Sequence, residues 1–173
     1  MPRIGLAALG GYILTIVAAN AAIVVFGVVP VGFGLVAPAG VYFAGLALTL
    51  RDAVRETAGP RYALAAILAG AALSALLSGP LALASGAAFL ASELLDAAVY
   101  EPLRARGRLR AVAASNVAGL VADSALFLWL AFGSLDFLAG QVVGKLWMTA
   151  LAVALLALWR QTRTSPAAHT EPR

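Results

Sequence analysis

Residues 91–110 read ASELLDAAVYEPLRARGRLR. The stretch opens inside a long apolar run and closes in a cluster of arginines. Glu93 and Asp96 stand three residues apart, so on a helix they share a face. A carboxylate inside a membrane span costs roughly 2.5–3.5 kcal/mol on insertion scales. Arg104, Arg106, Arg108 and Arg110 then mark a cytoplasmic exit, because Lys and Arg concentrate in loops on that side. Read outward from this segment, the chain is an integral membrane protein.

Composition agrees. Of the 173 residues, 62% are hydrophobic and only 12% charged, with mean hydropathy +0.95. A soluble domain carries about 25% charged residues. The net charge is +4, but the basic residues lie between apolar runs, so topology and not a nucleic-acid partner accounts for them. The absence of Cys removes disulfides and thiolate metal sites. The single histidine, His169, lies in a polar tail, and neither a metal nor a cofactor is expected.

Six apolar runs divide the chain. The first is 4–29, read as retained and not as a signal peptide, since it is too long for a signal core. The second starts near Pro38, where proline suits a first helical turn, and reaches about Thr57. The others are 60–79, about 85–104, 111–132 and 138–159. Residues 1–160 thus form a six-helix transmembrane domain, and 161–173 a polar cytoplasmic tail expected to be disordered. The segments after the first and third runs carry no charge, and the one after the fifth carries only Asp136. All eleven arginines fall at the N-terminus, at 51–61, at 104–110, at the end of the sixth run (Arg160) or in the tail. Six spans place every one of them, and both termini, in the cytoplasm. The expected fold is an all-α membrane protein whose halves have inverted topology, without sequence similarity between them.

The polar residues inside these spans are the candidate site. At ~1.5 Å of rise per residue, Glu93, Asp96 and Asp123 fall about 2 Å from the midplane, and Asn20 and Lys145 about 5 Å outward. Glu93, Asp96, Asp123 and Lys145 together cost about 10–14 kcal/mol if exposed to lipid, so they should face each other or a wet cavity. Asn116, Gly119, Asp123 and Phe127 form one stripe, Gln141 and Lys145 another, and Phe89, Glu93, Asp96 and Tyr100 a third. Polar groups alternating with rings suit a flat ligand, with rings stacking on its faces and polar groups bonding its edge. The plainer reading is a structural ion pair of Lys145 with Asp123 or Asp96. One lysine cannot neutralise three carboxylates, so protons or a ligand should supply the remainder. Asp52 and Glu56 read either as a second site or gate, or as a solvated helix end self-paired with Arg51 and Arg55. Asn20 taken alone would only bond a neighbouring helix.

These residues carry a resemblance. Asp52-x-x-x-Glu56-x-x-Gly59, then SELLDAAVYEPLR at 92–104, SNVAGLVADSALFLWLAF at 115–132, and Lys145 resemble the vitamin uptake transporter family, also called queuosine precursor transporters. The resemblance runs from about Asn20 to Trp147. It implies a six-helix bacterial inner-membrane importer of deazaguanine-type bases or nucleosides. It also implies an architecture like that of substrate-binding subunits of energy-coupling-factor transporters. Members often carry Gln where Glu93 stands, and Ala37 replaces a usual Phe. A deazaguanine presents adjacent N–H donors, which one carboxylate can accept as a bidentate pair. Asp96, Asp123 and Glu93 are then the expected acceptors, and Lys145 or Asn20 the expected donor to the carbonyl. Phe89, Phe127 or Trp147 would stack, with Asn116 and Gln141 beside them.

Two functions follow: an importer acting alone, or a binding subunit energised by a separate ATPase. No Walker A pattern is present. An intramembrane enzyme is disfavoured by the lack of HExxH and Ser–His arrangements. The expected partners are the purine-like substrate and the lipid bilayer, with a homo-oligomer or an energising ATPase module left open.

Overall fold

The computed structural model describes residues 3–164. Its order is α1 (Arg3–Phe26), β1 (Val28–Gly32), β2 (Leu35–Pro38), α2 (Val41–Thr57), α3 (Pro60–Ala75), α4 (Gly79–Leu103), a 3-10 turn (Arg104–Arg106), α5 (Arg108–Phe132) and α6 (Leu138–Thr164). Six helices are therefore present among the described residues. Three contain stretches long and apolar enough to cross a membrane: Gly5–Phe26, Gly79–Arg106 and Ala113–Phe132. At 17 and 16 residues, α2 and α3 fall short of the ~20 a perpendicular span needs.

Proline and glycine set several boundaries. Pro60 opens α3, where its missing N–H would be unpaired anyway. α4 begins at Gly79, earlier than the run from 85, because Pro80 is equally harmless in a first turn. Pro102 closes α4 into the 3-10 turn. α6 runs on through Gln161–Thr164, the first residues of the expected tail, and residues 165–173 lie outside the described residues.

The hairpin was not expected. The sequence predicts a first helix reaching Val29, an uncharged loop over 30–37 and a helix starting near Pro38, whereas β1 pairs antiparallel with β2 and Pro38 ends the second strand opposite Val28. Two strands have two edges, so Pro30 and Pro38 are tolerated. The tip, Gly32-Phe33-Gly34, is left-handed throughout, with φ of 99°, 55° and 71°. A left-handed Phe is uncommon; its ring stacks on Trp147 of α6, with centroids 6.1 Å apart. Tyr42 Oη donates to the Pro30 carbonyl at 2.7 Å and ties the hairpin to α2.

Packing follows membrane rules. Lipid tails are as apolar as leucine, so helices associate through small residues that let backbones approach. Gly45 of α2 sits against the Lys145 backbone and Met148 of α6, where a Cβ would come within 2.9 Å. Gly70 of α3 receives Ile16 of α1 in the same way. The main pairings are α4 with α5, α1 with α2 and α3, α2 with α6, and α3 with α4. The outer surface is apolar: Leu14, Leu83, Leu94, Val117 and Trp129 are each more than 60% exposed. Such a surface suits lipid and not water.

Candidate functional site

α1 and α5 run toward the hairpin end of the bundle, and α2, α4 and α6 run away from it. Positions on these five helices therefore match in depth: Asn20, Ala44, Phe89, Asp123 and Lys145 lie nearer the hairpin. About one to two turns below lie Thr49, Arg51, Asp96, Asn116 and Thr149.

Lys145 is at the centre of the upper level. Its Nζ donates to Asp123 Oδ2 and, at 2.9 Å, to Ser124 Oγ. The lysine and aspartate side chains are 1% and 4% exposed. Of the two carboxylates left open by the sequence, Asp123 is thus the partner. A narrow cavity beside the pair is lined by Asn20, Phe89, Asp123, Phe127, Gln141 and Lys145, with Gly40 and Ala44 at the α2 side. Asn20 Nδ2 donates to the Ile16 carbonyl within its own helix, and the buried Gln141 Oε1 has no partner. The cavity measures about 20 Å³, room for about one water.

Six of the ten expected substrate-binding residues therefore share one cavity. The other four are elsewhere. Glu93 points to α2, where Oε1 accepts from Arg51 and Oε2 accepts from Arg55 Nη1 at 2.9 Å. Arg51 is 8% exposed and donates from Nε and Nη2 to Asp52 Oδ1, at 3.0 and 2.9 Å. The expected single layer of carboxylates is thus divided, because α2 brings guanidinium groups long enough to reach α4. Arg51 is no solvated helix end: it is buried, although Asp52 itself is half exposed. Glu56 lies within α2.

Asp96 and Asn116 line a second cavity of about 80 Å³ with Leu48, Thr49, Arg51, Asp52, Gly119, Leu120 and Thr149. Gly119 admits the close approach of α4, its Cβ position lying 3.5 Å from Asp96 Cβ. Trp147 is on the far side of α6 from Lys145, half exposed against Phe33, and touches neither cavity.

Sequence reading missed Tyr12. It is fully buried, its hydroxyl is unpartnered, and its ring meets Phe89 edge-on at 6.3 Å. The hydroxyl lies in the field of Arg51, Glu93, Asp123 and Asp52. The signal was the i, i+4, i+8 spacing of Tyr12, Ile16 and Asn20, which puts all three on one face. Ser124, Thr49 and Thr149 were also missed, since single hydroxyls in an apolar run look like packing residues.

Among the described residues, no group of three or more His, Cys, Asp or Glu is placed to hold a metal ion. No curated protein and no solved structure matches the chain. A family described as "Putative vitamin uptake transporter" matches residues 76–160. That span covers α4, α5 and most of α6, and includes Glu93, Asp96, Asn116, Asp123, Gln141, Lys145 and Trp147. The buried lysine–aspartate pair and the α4, α5 and α6 walls of both cavities lie in the matched segment, and the protein belongs to the vitamin uptake transporter family of membrane transporters.

Proposed function

We propose that the protein crosses the bacterial inner membrane six times and imports a deazaguanine-type base, a queuosine precursor, through the cavity at Asp123 and Lys145. The observation that carries this reading is the convergence of Asn20, Phe89, Asp123, Phe127, Gln141 and Lys145 on one buried cavity. Two rings and an unpartnered amide oxygen beside a carboxylate–ammonium pair match what a flat, donor-rich heterocycle requires. A carboxylate has about four acceptor positions, so Asp123 can accept from a base while it still accepts from Lys145. At about 20 Å³ the cavity is closed to a bicyclic ring. The base enters when Phe89, Phe127 or the hairpin moves aside, as alternating access requires.

The experiment is uptake of a labelled 7-deazaguanine base by purified protein in liposomes, with equilibrium binding measured in parallel. Saturable uptake, competed by guanine-like bases and lost in Asp123→Asn, supports the reading. Binding without uptake would make the chain a substrate-binding subunit energised by a separate ATPase. Neither binding nor uptake would overturn it.

A further inference from the structure

The second cavity has a chemistry of its own. Three buried oxygens on its wall have no hydrogen-bond partner: Thr49 Oγ1 of α2, Asp96 Oδ1 of α4 and Thr149 Oγ1 of α6. Asn116 of α5 lines the same space. Four helices thus present oxygen-bearing side chains to one cavity of about 80 Å³.

Charge points the same way. Lys145 is matched by Asp123, and Arg51 and Arg55 are matched by Asp52 and Glu93. All three nitrogens of the Arg51 guanidinium donate to those two carboxylates, so the one cation on the wall is already engaged. No lysine or arginine among the described residues forms an ion pair with Asp96. Among the described side chains that line the two cavities, Asp96 is the carboxylate without an ion-pair partner. An uncompensated carboxylate at this depth is costly unless a cation joins it. Hard cations take oxygen ligands, and carboxylate with hydroxyl and amide oxygens is such a set.

We propose that this cavity is an alkali-cation site, with Asp96 as the charged ligand and Thr49, Thr149 and Asn116 as neutral ones. It is separate from the base cavity and about 6–10 Å away along the bundle, judged from Lys145 to Thr149 and from Asp123 to Asn116. A bound cation neutralises Asp96 and gives the transporter an ion whose gradient can drive import. The base-binding reading can fail without affecting this site, because a cation can be followed with no base present.

The test is thermal unfolding and ²²Na⁺ binding by the purified full-length protein in detergent, in NaCl, KCl or choline chloride at equal ionic strength and fixed pH. The expected result is a saturable rise in melting temperature with Na⁺ or K⁺ over choline. Thr49→Val and Thr149→Val should each weaken the apparent cation affinity several-fold, Asp96→Asn should abolish the response, and Asp123→Asn should keep it. The threonine variants remove one hydroxyl each, so they report even if Asp96→Asn fails to fold. Equal melting in all three salts would overturn the proposal, as would an unchanged response in both threonine variants. A response to pH alone, with no difference between the salts, would make Asp96 a protonation site and overturn the alkali-cation assignment.

Discussion

Lys145 and Asp123, 22 residues apart in sequence, form an ion pair with side chains only 1% and 4% exposed. Breaking such a pair from one side leaves a buried charge uncompensated, at about 3–5 kcal/mol. Lys145→Ala should therefore fall steeply in melting temperature or fail to accumulate. Adding Asp123→Asn removes the stranded charge and should restore much of the folding, without base binding. A double variant no more stable than Lys145→Ala would show that the pair is not what holds α5 to α6.

Asp123→Asn alone should be made and inserted, since an amide oxygen can still accept from Lys145. Its affinity for a deazaguanine base should drop at least tenfold, the scale of a charge-assisted hydrogen bond of about 1.5–3 kcal/mol. Titration calorimetry or a filter-binding assay reads this directly. Unchanged affinity would remove Asp123 from the base site.

Glu93 behaves differently from what its place in the sequence suggested. The sequence leaves it either at the ligand's edge or as a proton carrier; in the structure it bridges Arg51 and Arg55. Glu93→Gln should keep base affinity within about threefold and lose stability, toward the lower end of the roughly 3–5 kcal/mol range. Melting curves and binding measured on one preparation separate the two effects. A large affinity loss with unchanged melting would return Glu93 to the ligand.

Gly45 tests the α2–α6 contact without touching a charge. A Cβ there would come within 2.9 Å of the Lys145 backbone and Met148. Gly45→Val should push the helices apart, destabilise the protein and weaken base binding through a displaced Lys145. Wild-type melting and binding in this variant would show that α2 and α6 are not in close contact.

Topology can be checked by single cysteines placed at Arg106 and Ser134 and labelled from outside intact cells. Labelling at 134 and protection at 106 is expected, because the arginine loops should face the cytoplasm. The reverse would overturn the orientation.

How much of this could be read in the sequence depends on the kind of signal. Helix positions were legible, because apolar runs, Pro60 and the arginine loops mark them. The polar residues were legible as a set, because each is expensive in lipid. Which of them meet was not. Lys145 could reach Asp96 or Asp123 by depth alone, and only rotation about the helix axes decides for Asp123. Arg51 looked like a solvated end, because its partner Glu93 is 42 residues away and on another helix. The hairpin was hidden because residues 28–38 are as apolar as a span and its turn depends on a left-handed Phe33.

α2 takes part in both cavities, with Ala44 at the upper and Leu48, Thr49, Arg51 and Asp52 at the lower. It also contacts α1, α3 and α6, so it cannot shift at one level without being felt at the other. If base and cation bind as proposed, α2 is the physical term in a linkage between them. Whatever factor a cation below applies to the affinity for base above, the base must apply to the affinity for the cation. Titrating base with and without salt would therefore also measure the reverse effect, the one that decides how much of an ion gradient is converted into accumulated substrate.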